Sequence, residues 1–108
     1  MRLSLQCHGV ERTEELQAHC ERRLETALAR FERRLGRVTA NLSDQNGPRG
    51  GIDQLCRIVA HIHGIGDVVA EACEQAAGAA INKAVDRLNA AITHAVDRKR
   101  SLRPAAVQ

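Results

Sequence analysis

Leu55-Cys-Arg-Ile-Val-Ala-His-Ile-His63, followed at once by Gly64-Ile-Gly-Asp67 and Val68-Val-Ala-Glu-Ala72, decides the fold. Cys56, Ile58, Ala60 and Ile62 fall on one side of an extended chain. Leu55, Arg57, Val59, His61 and His63 fall on the other, which is the period of a half-buried strand. The glycines at 64 and 66 close a tight turn, so 55–63 and 68–72 predict an antiparallel hairpin. Upstream, 38–43 alternates in the same way, with Val38, Ala40 and Leu42 as its buried set. The segment 44–53 between them is dense in turn formers and reads as a mobile hairpin loop.

Further out the period changes. Residues 2–8 alternate strictly, with Leu3, Leu5 and Cys7 on the core side. Thr13 is a suitable N-cap, and Glu14 and Glu15 suit the positive end of a helix dipole. Leu16, Cys20, Leu24, Leu28, Phe31 and Leu35 then recur at three- and four-residue spacing, predicting a helix to about Leu35 that Gly36 stops. A second helix is predicted over 75–100, with Ala77, Ile81, Ala84, Val85, Leu88, Ala91, Ile92 and Ala95 as its core stripe. The order is β-α-β-β-β-α, an α+β fold. A right-handed crossover makes the first strand parallel to the second. One apolar face per element puts both helices on one side of a four-stranded sheet and leaves the other side to water.

Composition narrows the function. A chain of 108 residues fits one domain, here 1–103 with a flexible tail at 104–108. Phe31 is the only aromatic residue, which argues against stacking platforms for single-stranded nucleic acid and against an aromatic-anchored peptide groove. Fourteen of the 16 basic residues are arginine, whose planar fork matches phosphate or carboxylate oxygens. Residues 83–103 carry six cations against Asp86 and Asp97, more than the whole chain's net +3. Cys7, Cys20, Cys56 and Cys73 have no paired spacing and read as free, mostly core thiols of a cytoplasmic protein. No stretch resembles a signal peptide or a membrane span.

Lys83, Arg87, His94 and Arg98 are spaced by 4, 7 and 4, so they line one edge of a helix over about 22 Å. The first helix carries Arg22, Arg23, Arg30, Arg33 and Arg34, and Lys99 and Arg100 extend the second set. Two such rails suit phosphates of structured RNA read by shape, although solubilising charges on a surface helix show the same pattern. The remaining candidates are weaker. His61 and His63, with His8 nearby in pattern, lack a third metal ligand. Gly47, Gly50 and Gly51 precede a strand, not a helix, so they form no phosphate loop, and no nucleophile–base order stands out. We expect no enzyme activity, cofactor, metal, small-molecule substrate or membrane partner.

The layout resembles the hibernation-promoting factor and ribosome-associated inhibitor family of bacterial ribosome-silencing proteins. The resemblance rests on Leu3-Ser-Leu5, Thr13 opening the helix, Arg23-Leu24, Arg30-Phe31, 38–43, and above all Ala80-Ile-Asn-Lys-Ala-Val-Asp-Arg-Leu88. It implies binding to the small ribosomal subunit and its rRNA, in the cleft used by messenger and transfer RNA, through basic residues on both helices. Arg30, Arg87 and Arg98 match basic positions of the family, whereas His94 stands for a Lys, Ala90 for an Arg, Ala27 for a basic residue and Gly78 for a Tyr. Those departures keep a second reading open: a non-catalytic interaction module that kept the fold and lost the RNA site. Its exposed sheet, with Leu55 and Val59, would then serve a partner or a weak homodimer. Relatives that dimerise ribosomes do so through a second C-terminal domain, which is not expected of a chain ending at Gln108.

Overall fold

A computed structural model describes residues 2–45 and 53–101. The elements are β1 (Arg2–His8), α1 (Glu14–Leu28), a 3-10 segment (Ala29–Arg34), β2 (Leu35–Asp44), β3 (Gln54–Ile62), β4 (Gly66–Glu74) and α2 (Ala77–Ser101). They form one four-stranded sheet in the order β1-β2-β3-β4. β1 runs parallel to β2, and the other pairs are antiparallel. This is the α+β, β-α-β-β-β-α arrangement expected from the alternating periods. Leu5, Val38, Ala40, Leu42, Cys56, Ile58, Ala60 and Ile62 bury one sheet face against the helices. Leu24 and Leu28 of α1, and Ile81, Val85, Leu88 and Ile92 of α2, close the core from the other side. No helix among the described residues is long and apolar enough to cross a membrane.

The first helix ends sooner than its periodicity predicts. Thr13 Oγ1 accepts the Leu16 N–H at 3.0 Å, as an N-cap should. At the other end α1 stops at Leu28 and tightens into the 3-10 segment. Three residues per turn stack Leu28 over Phe31, and both are buried. The Leu35 N–H then bonds the carbonyls of Glu32 and Phe31 as the chain enters β2. Gly36 is therefore not a helix stop but part of a strand. A side chain there would begin 3.3 Å from His61 Cδ2, so glycine allows the close approach of β3.

β2 accordingly starts at Leu35 rather than Val38. Leu35 pairs with Ile62 and Val38 with Ala60, which leaves Gly36 and Arg37 opposite the single residue His61. This bulge shifts the alternation by one, so Leu35 and Val38 both point into the core while Arg37 points out. The loop expected at 44–53 lies mostly outside the described residues, although the Gln45 N–H donates to Asp53 O across its base at 2.9 Å. The tail at 104–108 also lies outside them.

Two further details differ from expectation. Ala80 and Val96 join the α2 core stripe, whereas Ala77, Ala91 and Ala95 are only half-buried. Of the four thiols, all free, Cys20 and Cys56 are buried and Cys7 half-buried, but Cys73 is exposed on the outermost strand. Burial pushes the Cys20 thiol up to about 11 and the Cys56 thiol up to about 12. Finally, arginine donors occupy backbone acceptors on both outer strands. Arg12 Nη1 donates to Leu5 O of β1 at 3.2 Å, and Arg87 Nη1 to Glu71 O of β4 at 2.8 Å. Charged side chains at a sheet edge discourage pairing with another chain.

Candidate nucleic-acid interface

The polar surface of α2 divides into two stripes. One faces α1 and consists of Asn82, Asp86, Asn89 and Thr93, spaced by 4, 3 and 4. The other is the basic stripe of Lys83, Arg87 and Arg98, with the His94 imidazole between them, all exposed. Both follow from the 3.6-residue turn of one helix whose apolar third is buried.

The first stripe holds the helices together. Asn82 Oδ1 accepts from Arg23 Nε at 3.0 Å and lies 2.8 Å from His19 Nε2. Because an acceptor oxygen sits there, His19 Nε2 must carry its hydrogen. Arg23 also reaches Asp86 Oδ1 at 3.0 Å. Two helical turns further on, Arg30 donates to Asn89 Oδ1 at 3.3 Å and to Thr93 Oγ1, and its guanidinium lies 4.7 Å from the centre of the Phe31 ring. Arg23 and Arg30, both taken from the sequence as RNA-facing, are thus engaged between the helices. His19, Asn82, Asp86, Asn89 and Thr93 are their partners, and the sequence reading did not single these out for that role.

The second stripe is only partly engaged. Lys83 Nζ bonds Glu74 at 3.2 Å, and Arg87 spends one donor on the β4 backbone. Lys99 Nζ donates to Gly64 O in the turn between β3 and β4, where Arg34 also approaches. Arg22, Arg33, Arg98 and Arg100 make no hydrogen bond or ion pair among the described residues, and all are exposed. Their guanidinium forks are available to an anion. Among the described residues no group of three His, Cys, Asp or Glu gathers as metal ligands. His61 Nδ1 instead meets Asp67 Oδ1 at 3.0 Å, and the His61 and His63 rings sit edge to face, 5.6 Å between centres.

A two-layer α+β domain with a four-stranded mixed sheet and a cationic outer helix is the class that fold and surface define. Similar folds occur in the N-terminal domain of Protein Y from Thermus thermophilus, with TM-score 0.73 and 24% identity over 87% of this chain and 98% of that one. A ribosomal subunit interface protein from Coxiella burnetii aligns with TM-score 0.71 and 13% identity over 93% of this chain and 99% of that one. No curated protein sequence matches the chain. The family model described as Sigma 54 modulation protein / S30EA ribosomal protein matches residues 3–100, and the chain belongs to that family. This is the family to which the sequence resemblance pointed.

Proposed function

We propose that the protein is a ribosome-associated silencer of translation that binds rRNA of the small subunit in the decoding cleft through the outer face of α2 and the free arginines of α1 and the 3-10 segment after it. The carrying observation is the exposed stripe Lys83, Arg87, His94 and Arg98, continued by Lys99 and Arg100. Cations at this spacing can follow a phosphate backbone, and Arg22 of α1 and Arg33 of the 3-10 segment add donors with no bonded partner among the described residues. Membership of the family supports the reading, as does a surface almost without aromatic groups, which suits structured RNA better than single strands. The protein acts by occupancy in the cytoplasm, not by chemistry.

The test is sedimentation with purified small subunits across a salt series. Neutralising several phosphates requires log affinity to fall linearly with log salt, with a slope of about −0.7 to −0.9 per contact. A flat response would favour the interaction-module reading, in which the sheet face meets a protein partner.

A further inference from the structure

On the side of the sheet away from both helices, the bulged end of β2 opens into a shallow depression of about 670 Å³ lined by Arg2, Arg37, Thr39, Val59, His61 and His63, among others. Arg2 and Arg37 are direct partners in the β1–β2 register. Like charges in that position repel, so the pair carries a cost unless something else compensates it. Neither arginine has a hydrogen bond or ion pair among the described residues. The other charges on this face are already matched: Asp67 is bonded to His61, and Arg57 to Glu71 at 3.0 Å.

The β1–β2 register makes the pair. Val38, Ala40 and Leu42 alternate inward, so Arg37 points out and lies beside Arg2, while the bulge on the β3 side turns Leu35 inward as well and leaves Gly36 and Arg37 opposite His61. Gly36 keeps the floor open, because a side chain there would come within 3.3 Å of His61 Cδ2 and 3.7 Å of His63 Nε2. Two arginines, two imidazoles and Thr39 line the space, together with the Asp67 carboxylate, which is held by His61.

We infer that this depression binds a terminal phosphate group, of inorganic phosphate or a phosphate monoester, between Arg2 and Arg37. The charge selects the class. A monoester carries about −1.5 to −2 at neutral pH and balances two guanidinium groups, whereas a backbone phosphodiester carries one charge and leaves half the repulsion in place. The site lies across the sheet from the helical rails, so it stands or falls separately from the rRNA reading.

The experiment is an amide-shift titration of the full chain with inorganic phosphate and glycerol phosphate, with dimethyl phosphate as the diester control. The first two should move the signals of Gly36, Arg37 and His61, and dimethyl phosphate should bind at least about fivefold more weakly. Arg37→Gln and Arg2→Gln should each weaken phosphate binding by at least about fivefold. Phosphate should raise the wild-type Tm but not that of Arg37→Gln. In the absence of phosphate, Arg37→Gln should melt no lower than wild type, because it relieves the repulsion. Shifts confined to α1 and α2, equal binding of dimethyl phosphate, or undiminished binding by both arginine variants would each overturn the assignment.

Discussion

The groove between α1 and α2 and the outer face of α2 both carry arginines, yet those arginines are differently engaged. In the groove, Arg23 and Arg30 are bonded to Asn82, Asp86, Asn89 and Thr93. On the outer face, Arg98 and Arg100 are exposed and have no bonded partner among the described residues. The lesson concerns commitment: an arginine bonded on two sides sets the spacing of two helices, and one without a partner is free to hold a phosphate. Substitutions in the first region should register as lost stability, and in the second as lost binding.

The sharpest way to break this contrast is the double reversal Arg98→Glu with Arg100→Glu. Each exchange replaces an attraction by a repulsion worth more than about 1.4 kcal/mol, so small-subunit affinity should fall by about a hundredfold. The Tm should hardly move, because exposed substitutions usually cost under about 0.5 kcal/mol. Sedimentation and a melting curve on the same preparation read both quantities, and a large drop in Tm would erase the distinction.

Asn82→Ala should do the converse. It leaves the Arg23 and His19 donors without their shared acceptor, at a cost of about 1–2 kcal/mol. For a chain of this size each kcal/mol lowers the Tm by about 4–8 °C. Binding, measured well below the melting range, should fall far less than in the double reversal. Reversing Arg30 belongs here as well: read from the sequence it would affect binding alone, whereas its bonds to Asn89 and Thr93 add a stability cost.

A smaller effect sharpens the stability side without touching either stripe. Burial raises the folded-state values of Cys20 and Cys56 to about 11 and about 12, above the ordinary thiol value of 9.0. The folded protein therefore holds these protons more tightly than the unfolded chain. The associated stability is fully present below about pH 9 and drains away as pH rises toward the folded values. Between pH 8 and 9 the loss should stay under about 1 kcal/mol in total, and then steepen toward about 1.4 kcal/mol per pH unit for each thiol. Denaturant titrations at several alkaline pH values measure it, and Cys20→Ala should remove roughly half of the slope.

Much of the architecture was legible because the periods are clean. Strict alternation over 2–8 and 55–63, and the long apolar stripe of α2, each allow one buried face, and β-α-β-β-β-α follows. The passage from α1 to β2 was not. Leu28, Phe31 and Leu35 fit a continuing helix as well as they fit a 3-10 turn followed by a strand, and only the demand that Leu35 pair with Ile62 separates the two. A signal did exist, since Leu35 and Val38 are both apolar across Gly36-Arg37, an interval of three that breaks a period of two. The cationic stripe of α2 could be read from spacing alone. The Asn82, Asp86, Asn89 and Thr93 stripe has equally regular spacing, but polar residues on a helix look solvated until the neighbouring helix supplies their partners.

The arginines on the two outer strands have a consequence for how the chain is born. Arg12 reaches Leu5 from seven residues away, so the shield over β1 can form as soon as residues 2–12 have emerged from synthesis. Arg87 reaches Glu71 from 16 residues away and belongs to α2, which follows β4 in the chain. Until α2 docks, the far margin of the sheet is bare, and Cys73 lies on that same strand. The interval of greatest exposure to mispairing during biogenesis thus falls between the emergence of β4 and that of the helix that covers it.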